Sequence, residues 1–197
     1  MYDLGIRRGD RVGIWLLNSL EFAVAYWGNA KLGAISVPLN VMFKSEEAHF
    51  ILSDARAKAI VAHAQYEPAI AALWQRLPDL DHAVIVGAKE GTQYKRYEAL
   101  IESGTSSLAQ RGSAGLRFKY RVDGRKPAVI LYTSGTTGFP KGAMLSHENI
   151  LFDSRGCTKV LPVGPTDVMI CALPLYHAFA QLVFLGFAVM CGTRIVV

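Results

Sequence analysis

The sequence holds only three cysteines, Cys157, Cys171 and Cys191, far apart and with no CxxC pair among them. That excludes a disulfide-built fold and a thiolate zinc site. An odd count in apolar surroundings fits reduced, buried thiols of a cytoplasmic protein. The amino terminus, MYDLGIRRGDRV, has no apolar core of the kind that marks a signal peptide. Long hydrophobic runs are also missing. The most apolar stretch, Ala178 to Gly192, is interrupted by Gln181 and followed by Arg194. It is shorter than the roughly 20 apolar residues a spanning helix needs, so it reads as a buried core helix and no transmembrane segment is expected. Internal repeats and low-complexity tracts are absent. His49, His63, His82 and His147 show no metal-ligand spacing with one another or with the cysteines, and are expected to have no catalytic role.

Charge of one sign is not concentrated either. The net charge of +5 has one local cluster, Arg117, Lys119, Arg121, Arg125 and Lys126, in a stretch that reads as a solvated surface connection. A nucleic-acid binder gathers its excess into a stripe or helix face, so no nucleic-acid partner is expected. What is present is an ordinary globular composition, 51% hydrophobic and 19% charged, with enough length for a sizeable core.

The first third alternates strand-like and helix-like segments. RVGIWLL (Arg11 to Leu17) is a short apolar strand. Asn18 with Glu21 three residues on has capping-box spacing for a helix through about Lys31, stopped by Gly33. Ala34 to Val37 is the next strand. Ser45 is expected to cap a helix with Glu46 and Glu47 in its first turn, where acidic residues suit the dipole. Lys58 to Ala62 and Ala83 to Val86 are further strands, and Pro68 sits just inside the helix between them. Short, wholly apolar strands alternating with helices predict an α/β fold, a mainly parallel sheet covered by helices. Residues 87–126 lose this rhythm and read as an excursion with one short helix near Tyr97 to Ser103. Order returns with the strand Ala128 to Tyr132, then a short strand (Ala143 to Leu145) and a helix from Ser146, where His147 and Glu148 are expected to be structural. A strand near Val168 to Ala172, a helix near His177 to Met190 and a strand from Thr193 to Val197 follow. The expected organisation is a first α/β subdomain over residues 1–145 and the beginning of a second over 146–197.

The chemistry concentrates in Tyr132 to Gly142, YTSGTTGFPKG, directly after a buried strand. Gly135, Gly138 and Gly142 can take positive φ and let backbone approach a ligand. Successive N–H groups in such a turn form an anion-binding nest. Thr133, Ser134, Thr136 and Thr137 add hydroxyls, and Lys141 adds a mobile charge suited to phosphate. The pattern is neither GxGxxG nor GxxxxGK[ST], because Gly142 follows the lysine where Ser or Thr would hold magnesium.

TSGTTGFPKG resembles the phosphate-binding signature of the adenylate-forming enzymes, and the resemblance runs along the whole chain. LGIRRGDRVGIWLLNSLEFAVAYWGNAKLGAISVPLN, LSHENI, CALPLYHAFA and GTRIVV are all similar to family segments. It implies an acyl-CoA synthetase-like amino-terminal domain, incomplete, from an ATP-dependent acid–thiol ligase. That ligase forms acyl-AMP and then acyl-CoA from a carboxylic, fatty acid. Thr133, Ser134, Gly135, Thr136, Thr137, Gly138 and Lys141 match the loop that holds the β- and γ-phosphates of ATP, with Thr133 at a position implicated in binding magnesium. His177 matches a residue lining the acyl pocket, and Tyr176 and Phe179 are candidates for the same wall. ATP, Mg2+ and coenzyme A are the implied cofactors and co-substrate. Two alternatives stay open: an adenylation domain that loads a carrier protein, and a vestigial, non-catalytic nucleotide-binding module. The apolar surroundings of the histidine in PLYHAFA favour fatty or aromatic acids over amino acids. The family's YGxTE-type motif, ribose-binding aspartate and catalytic lysine do not occur in these 197 residues, so the chain alone is expected not to complete catalysis. Its last strand is expected to leave an apolar edge that favours self-association, and the first subdomain is expected to close its own core.

Overall fold

The computed structural model describes residues 1–115, 122–133 and 140–197, with 107–115 by backbone alone. Ser134, Gly135, Thr136, Thr137 and Gly138, and the basic residues Arg117, Lys119 and Arg121, lie outside the described residues. The fold is α/β with a mainly parallel central sheet. β1 (Arg11–Trp15), β2 (Ile35–Pro38), β3 (Ala57–His63), β4 (His82–Val86), β5 (Lys95–Arg96), β6 (Pro127–Thr133) and β7 (Lys141–Ser146) form one sheet in the order β5-β4-β3-β1-β2-β6-β7. Every neighbouring pair in it is parallel except β6 and β7, which run antiparallel. The short connection from 133 to 141 suffices for a hairpin, whereas a parallel pair needs a long crossover. β8 (Val168–Ile170) and β9 (Arg194–Val196) form a separate two-stranded parallel sheet.

The helices follow from caps and apolar faces. α1 (Leu20–Leu32) is capped by Ser19, whose hydroxyl accepts from Phe22 N–H at 3.2 Å, and ends at Gly33 with φ +76°. Expectation had placed Asn18 in the capping role; the two neighbours have the same capping chemistry, and Asn18 is engaged elsewhere. α2 (Ser45–Asp54) begins one residue earlier than expected: Lys44 is its N-cap and donates its N–H to Glu47 Oε2 at 2.8 Å. α3 (Glu67–Trp74) carries Pro68 in its first turn. α4 (Tyr97–Gly115) is far longer than the expected short helix. α5 (His147–Val160) is capped by Ser146, which accepts from Asn149 N–H at 3.1 Å. The apolar stretch becomes α6 (Ala178–Ala180), a π-helical segment (Gln181–Phe187) and α7 (Ala188–Cys191). It is buried over Phe184–Ala188 but exposed at Val189 and Met190.

Strand alternation divides the core. Val12, Ile14 and Leu16 from β1 and its exit, with Val129 and Leu131 from β6, face α1. Trp15 and Ile130 face the opposite side, against Ile51, Leu52, Ile70 and Leu73 of α2 and α3. The α1-side core also contains Cys171, Leu175, Ala180, Phe184 and Leu185. The later segment is therefore a wall of the same core, and residues 1–145 do not close it by themselves. β1 and β3 are neighbours whose onward connections lead in opposite directions, β1 to β2 and β3 to β4. In open α/β sheets the crevice outside the carboxyl ends of such a pair is the preferred ligand position.

Candidate functional site

β6 delivers Thr133 and β7 begins at Lys141, both exposed, and the two are directly opposed in the antiparallel ladder. Sheet pairing therefore holds the two ends of the glycine- and threonine-rich loop side by side. Tyr132 lies on the α2 side of β6, and its Oη donates to Asp54 Oδ2 at 2.5 Å, 78 residues away in sequence. Burial and then the Asp54 hydrogen bond push its phenol pKa up, so Tyr132 stays a neutral donor. Gly142 sits in β7 without positive φ, contrary to the freedom expected of it. Its value is space: a Cβ there would meet Ile130 Cγ2 at 2.8 Å and Tyr132 Cζ at 3.0 Å.

The second group of residues stands near the carboxyl ends of β1 and β3. Tyr176 is half-buried, with its ring 6.1 Å from that of His177. His177 is exposed and immediately precedes α6; its N–H bonds to Pro174 O at 2.9 Å and its carbonyl accepts from Gln181 N–H at 3.1 Å. Asn18 ties the preceding chain down, donating to Cys171 O (3.1 Å) and Leu173 O (2.9 Å) and accepting from Leu175 N–H (2.7 Å). Phe179 is exposed but also lines a cavity of about 300 Å³ shared with Tyr26, Val129, Leu131, Leu145 and Gln181. Tyr26 and Gln181 line this mostly apolar space together with Asn149 and Asp153, and Tyr26 Oη and Gln181 Nε2 are buried with no hydrogen-bond partner. Burial alone raises the Tyr26 phenol pKa. Such a cavity suits an apolar group carrying one or two polar atoms.

Among the described residues no cluster of three His, Cys, Asp or Glu could hold a metal ion. Thr133 is one hydroxyl at the mouth of the loop. That donor set fits a magnesium ion held chiefly by nucleotide phosphates and water, and does not fit a protein-caged metal. Nor is any helix among the described residues long and apolar enough to cross a membrane.

A model of the AMP-binding enzyme family matches residues 1–197. The chain belongs to this family. Among curated proteins, this AMP-binding chain is 32% identical over 185 residues to the crotonobetaine/carnitine–CoA ligase of Salmonella paratyphi C, covering 91% of the chain and 34% of the relative. It is also 32% identical over 193 residues to the long-chain-fatty-acid–CoA ligase FadD13 of Mycobacterium tuberculosis, covering 98% of the chain and 35% of that protein. It thus spans about a third of the length of these relatives. The anthranilate CoA ligase AuaEII in complex with anthranoyl-AMP superposes with a TM-score of 0.87 at 27% identity, over 100% of this chain and 36% of that one. The N-terminal domain of FACL13 from Mycobacterium tuberculosis gives 0.81 at 30% identity, over 98% and 45%.

The sequence singled out the loop and the Tyr176–His177–Phe179 stretch as candidates; the structure sets Thr133 opposite Lys141 and the Tyr176 ring beside that of His177. Sequence reasoning missed Asn18, Tyr26 and Asp54 as partners of these elements. Gln181 alone carried a signal, as the polar residue interrupting an apolar run.

Proposed function

We propose that this AMP-binding chain is the nucleotide-holding part of an ATP-dependent ligase that joins a carboxylic, fatty acid to coenzyme A through an acyl adenylate. The observation that carries the reading is the Thr133–Lys141 pairing at the base of TSGTTGFPKG. It brings a hydroxyl and an ammonium to one place in a chain of this family. In this reading Thr133, Ser134, Gly135, Thr136, Thr137, Gly138 and Lys141 hold the β- and γ-phosphates. The acid's carboxylate attacks the α-phosphorus, pyrophosphate leaves, and the thiol of coenzyme A then displaces AMP. The chain's contribution is positioning and charge neutralisation. Magnesium, when bound, would screen the phosphate charge, and the Thr133 hydroxyl is the group among the described residues that would hold it. Tyr176, His177 and Phe179 form one wall of the acid site, and the neighbouring cavity takes the apolar tail. Three unpaired cysteines agree with a reducing, cytoplasmic setting.

The test is equilibrium binding of Mg-ATP to the 197-residue chain. Lys141→Ala is expected to weaken binding by about tenfold or more, since a charge-assisted contact contributes about 1.5–3 kcal/mol. No ATP binding by the unaltered chain, or equal binding by Lys141→Ala, would sink the reading.

A further inference from the structure

We infer that Asn18 is a positioning residue for the acid-site wall built by Tyr176 and His177. The inference rests on the acyl-ligase reading above and adds a residue to it.

Asn18 lies just past the end of β1, half-buried, at the crevice where the connections of β1 and β3 part. Its carboxamide spends both amide hydrogens on the carbonyls of Cys171 and Leu173, at 3.1 and 2.9 Å, and accepts the N–H of Leu175 at 2.7 Å. The residues so joined are 153 to 157 apart in sequence. Three bonds to alternate residues of the irregular segment 171–175 fix where that segment lies along its length. The next bond in the chain, His177 N–H to Pro174 O at 2.9 Å, starts within the clamped stretch and sets the turn that carries Tyr176 and His177. On its other side the segment is tied by Cys171 N–H to Val196 O at 2.8 Å.

The role is distinct from burial or capping. Leu175, 1% exposed, already anchors the segment in the core. Ser19 already caps α1. Apolar packing tolerates sliding; the Asn18 bonds do not. Only a side chain with two donors and an acceptor on one short stem makes this set. Aspartate lacks the donors, leucine lacks all three groups, and glutamine is one methylene longer.

The experiment measures binding of two probes to the 197-residue chain. Mg-ATP reads the phosphate loop. Octanoyl sulfamoyladenosine, a stable stand-in for an acyl adenylate, also reads the acid wall. Asn18→Ala is expected to weaken the octanoyl probe about tenfold, the scale of one hydrogen bond, and to leave Mg-ATP within about twofold. Asn18→Asp supplies a signature that lost stability does not produce. At pH 8 its carboxylate faces the carbonyls of Cys171 and Leu173, and octanoyl binding is weak. Half-burial and the facing carbonyl oxygens raise that carboxyl's pKa above the ordinary value of about 3.9, so at pH 5 protonation returns one donor in part of the molecules and binding partly recovers, while the unaltered chain and Asn18→Ala show no such recovery. If Asn18→Ala does not fold, the Asn18→Asp pH comparison decides. Octanoyl binding by either variant equal to that of the unaltered chain overturns the inference, and so does equal weakening of both probes. If the unaltered chain binds neither probe, the acyl-ligase reading itself falls; if it binds both and the variants match it, only the role of Asn18 falls.

Discussion

His147 is a residue whose local setting has a consequence in solution. It opens α5, its N–H reaches Lys126 O at 3.3 Å, and its Nε2 is buried without a partner. Burial, and secondarily the charge of Arg8, hold its pKa below the ordinary 6.5. The sign follows from linkage. Below about pH 6.5 the unfolded chain takes up a proton that the folded chain resists, so stability contributed by neutral His147 is complete above that pH. It falls as the pH drops towards the depressed folded value. Thermal melts between pH 7.5 and 5.5 should show a larger loss of Tm for the unaltered chain than for His147→Asn. Equal losses would refute the account. At this scale the sequence was partly legible. Hydroxyl density and the lysine in YTSGTTGFPKG made Thr133 and Lys141 candidates from short-range pattern, and the strand register that sets them opposite each other was added by the fold. Asp54 and Tyr26 were not legible, since each matters through a residue or cavity that only folding brings near it.

Among the elements, α5 and the π-helical segment pack closely at Gly186. A Cβ on Gly186 would overlap Ser154 Oγ, which itself donates to Ile150 O at 2.8 Å. Gly186→Ala should therefore destabilise the fold by about 1–3 kcal/mol, the usual cost of overpacking. Adding Ser154→Ala, which removes the overlapping oxygen, should restore part of it. Urea denaturation of the single and double variants checks this; no loss from Gly186→Ala would show that the helices separate freely. Apolar composition announced a helix over this stretch but not its π winding, because a run that is hydrophobic on nearly all sides carries no period. Asn18 and Ser19 show the same limit for caps: two adjacent residues with equal capping chemistry leave the choice to tertiary partners. α4 was underestimated for the opposite reason, since its later turns are rich in Gly and Ser and carry little helical signal.

Taken as a whole, the molecule is unevenly covered. Met169 and Ile195, opposed across β8 and β9, pack against the α1-side core. Val168, Ile170 and Val196 alternate with them and are exposed, at 52%, 74% and 49%. An apolar outer face on a sheet that has two strands among the described residues invites pairing with another chain. The chain is expected to self-associate at micromolar concentration and to bind a hydrophobic dye, and Ile170→Lys should reduce both. Light scattering that shows a monodisperse, dye-silent chain would refute this. Cutting away residues 146–197 is expected to increase dye binding, because that segment supplies Leu175, Phe184 and Leu185 to the shared core. The α/β class and the mainly parallel sheet were legible from alternating apolar segments. The antiparallel sense of β7 and the shared core were not, because neither strand direction nor partnership is written in composition.

The pairing of β2 with β6, through Ser36 and Val129, also orders events in time. β1, β2, β3 and β4 are joined by short helical crossovers and can associate as soon as they emerge during synthesis. β6 must await the whole of α4 and close a long loop before it docks, and late, non-local pairings of this kind are the slow steps of folding. The hairpin that presents Thr133 and Lys141 is thus expected to be among the last parts of the sheet to form, and the proposed nucleotide site to be completed only after most of the scaffold is in place.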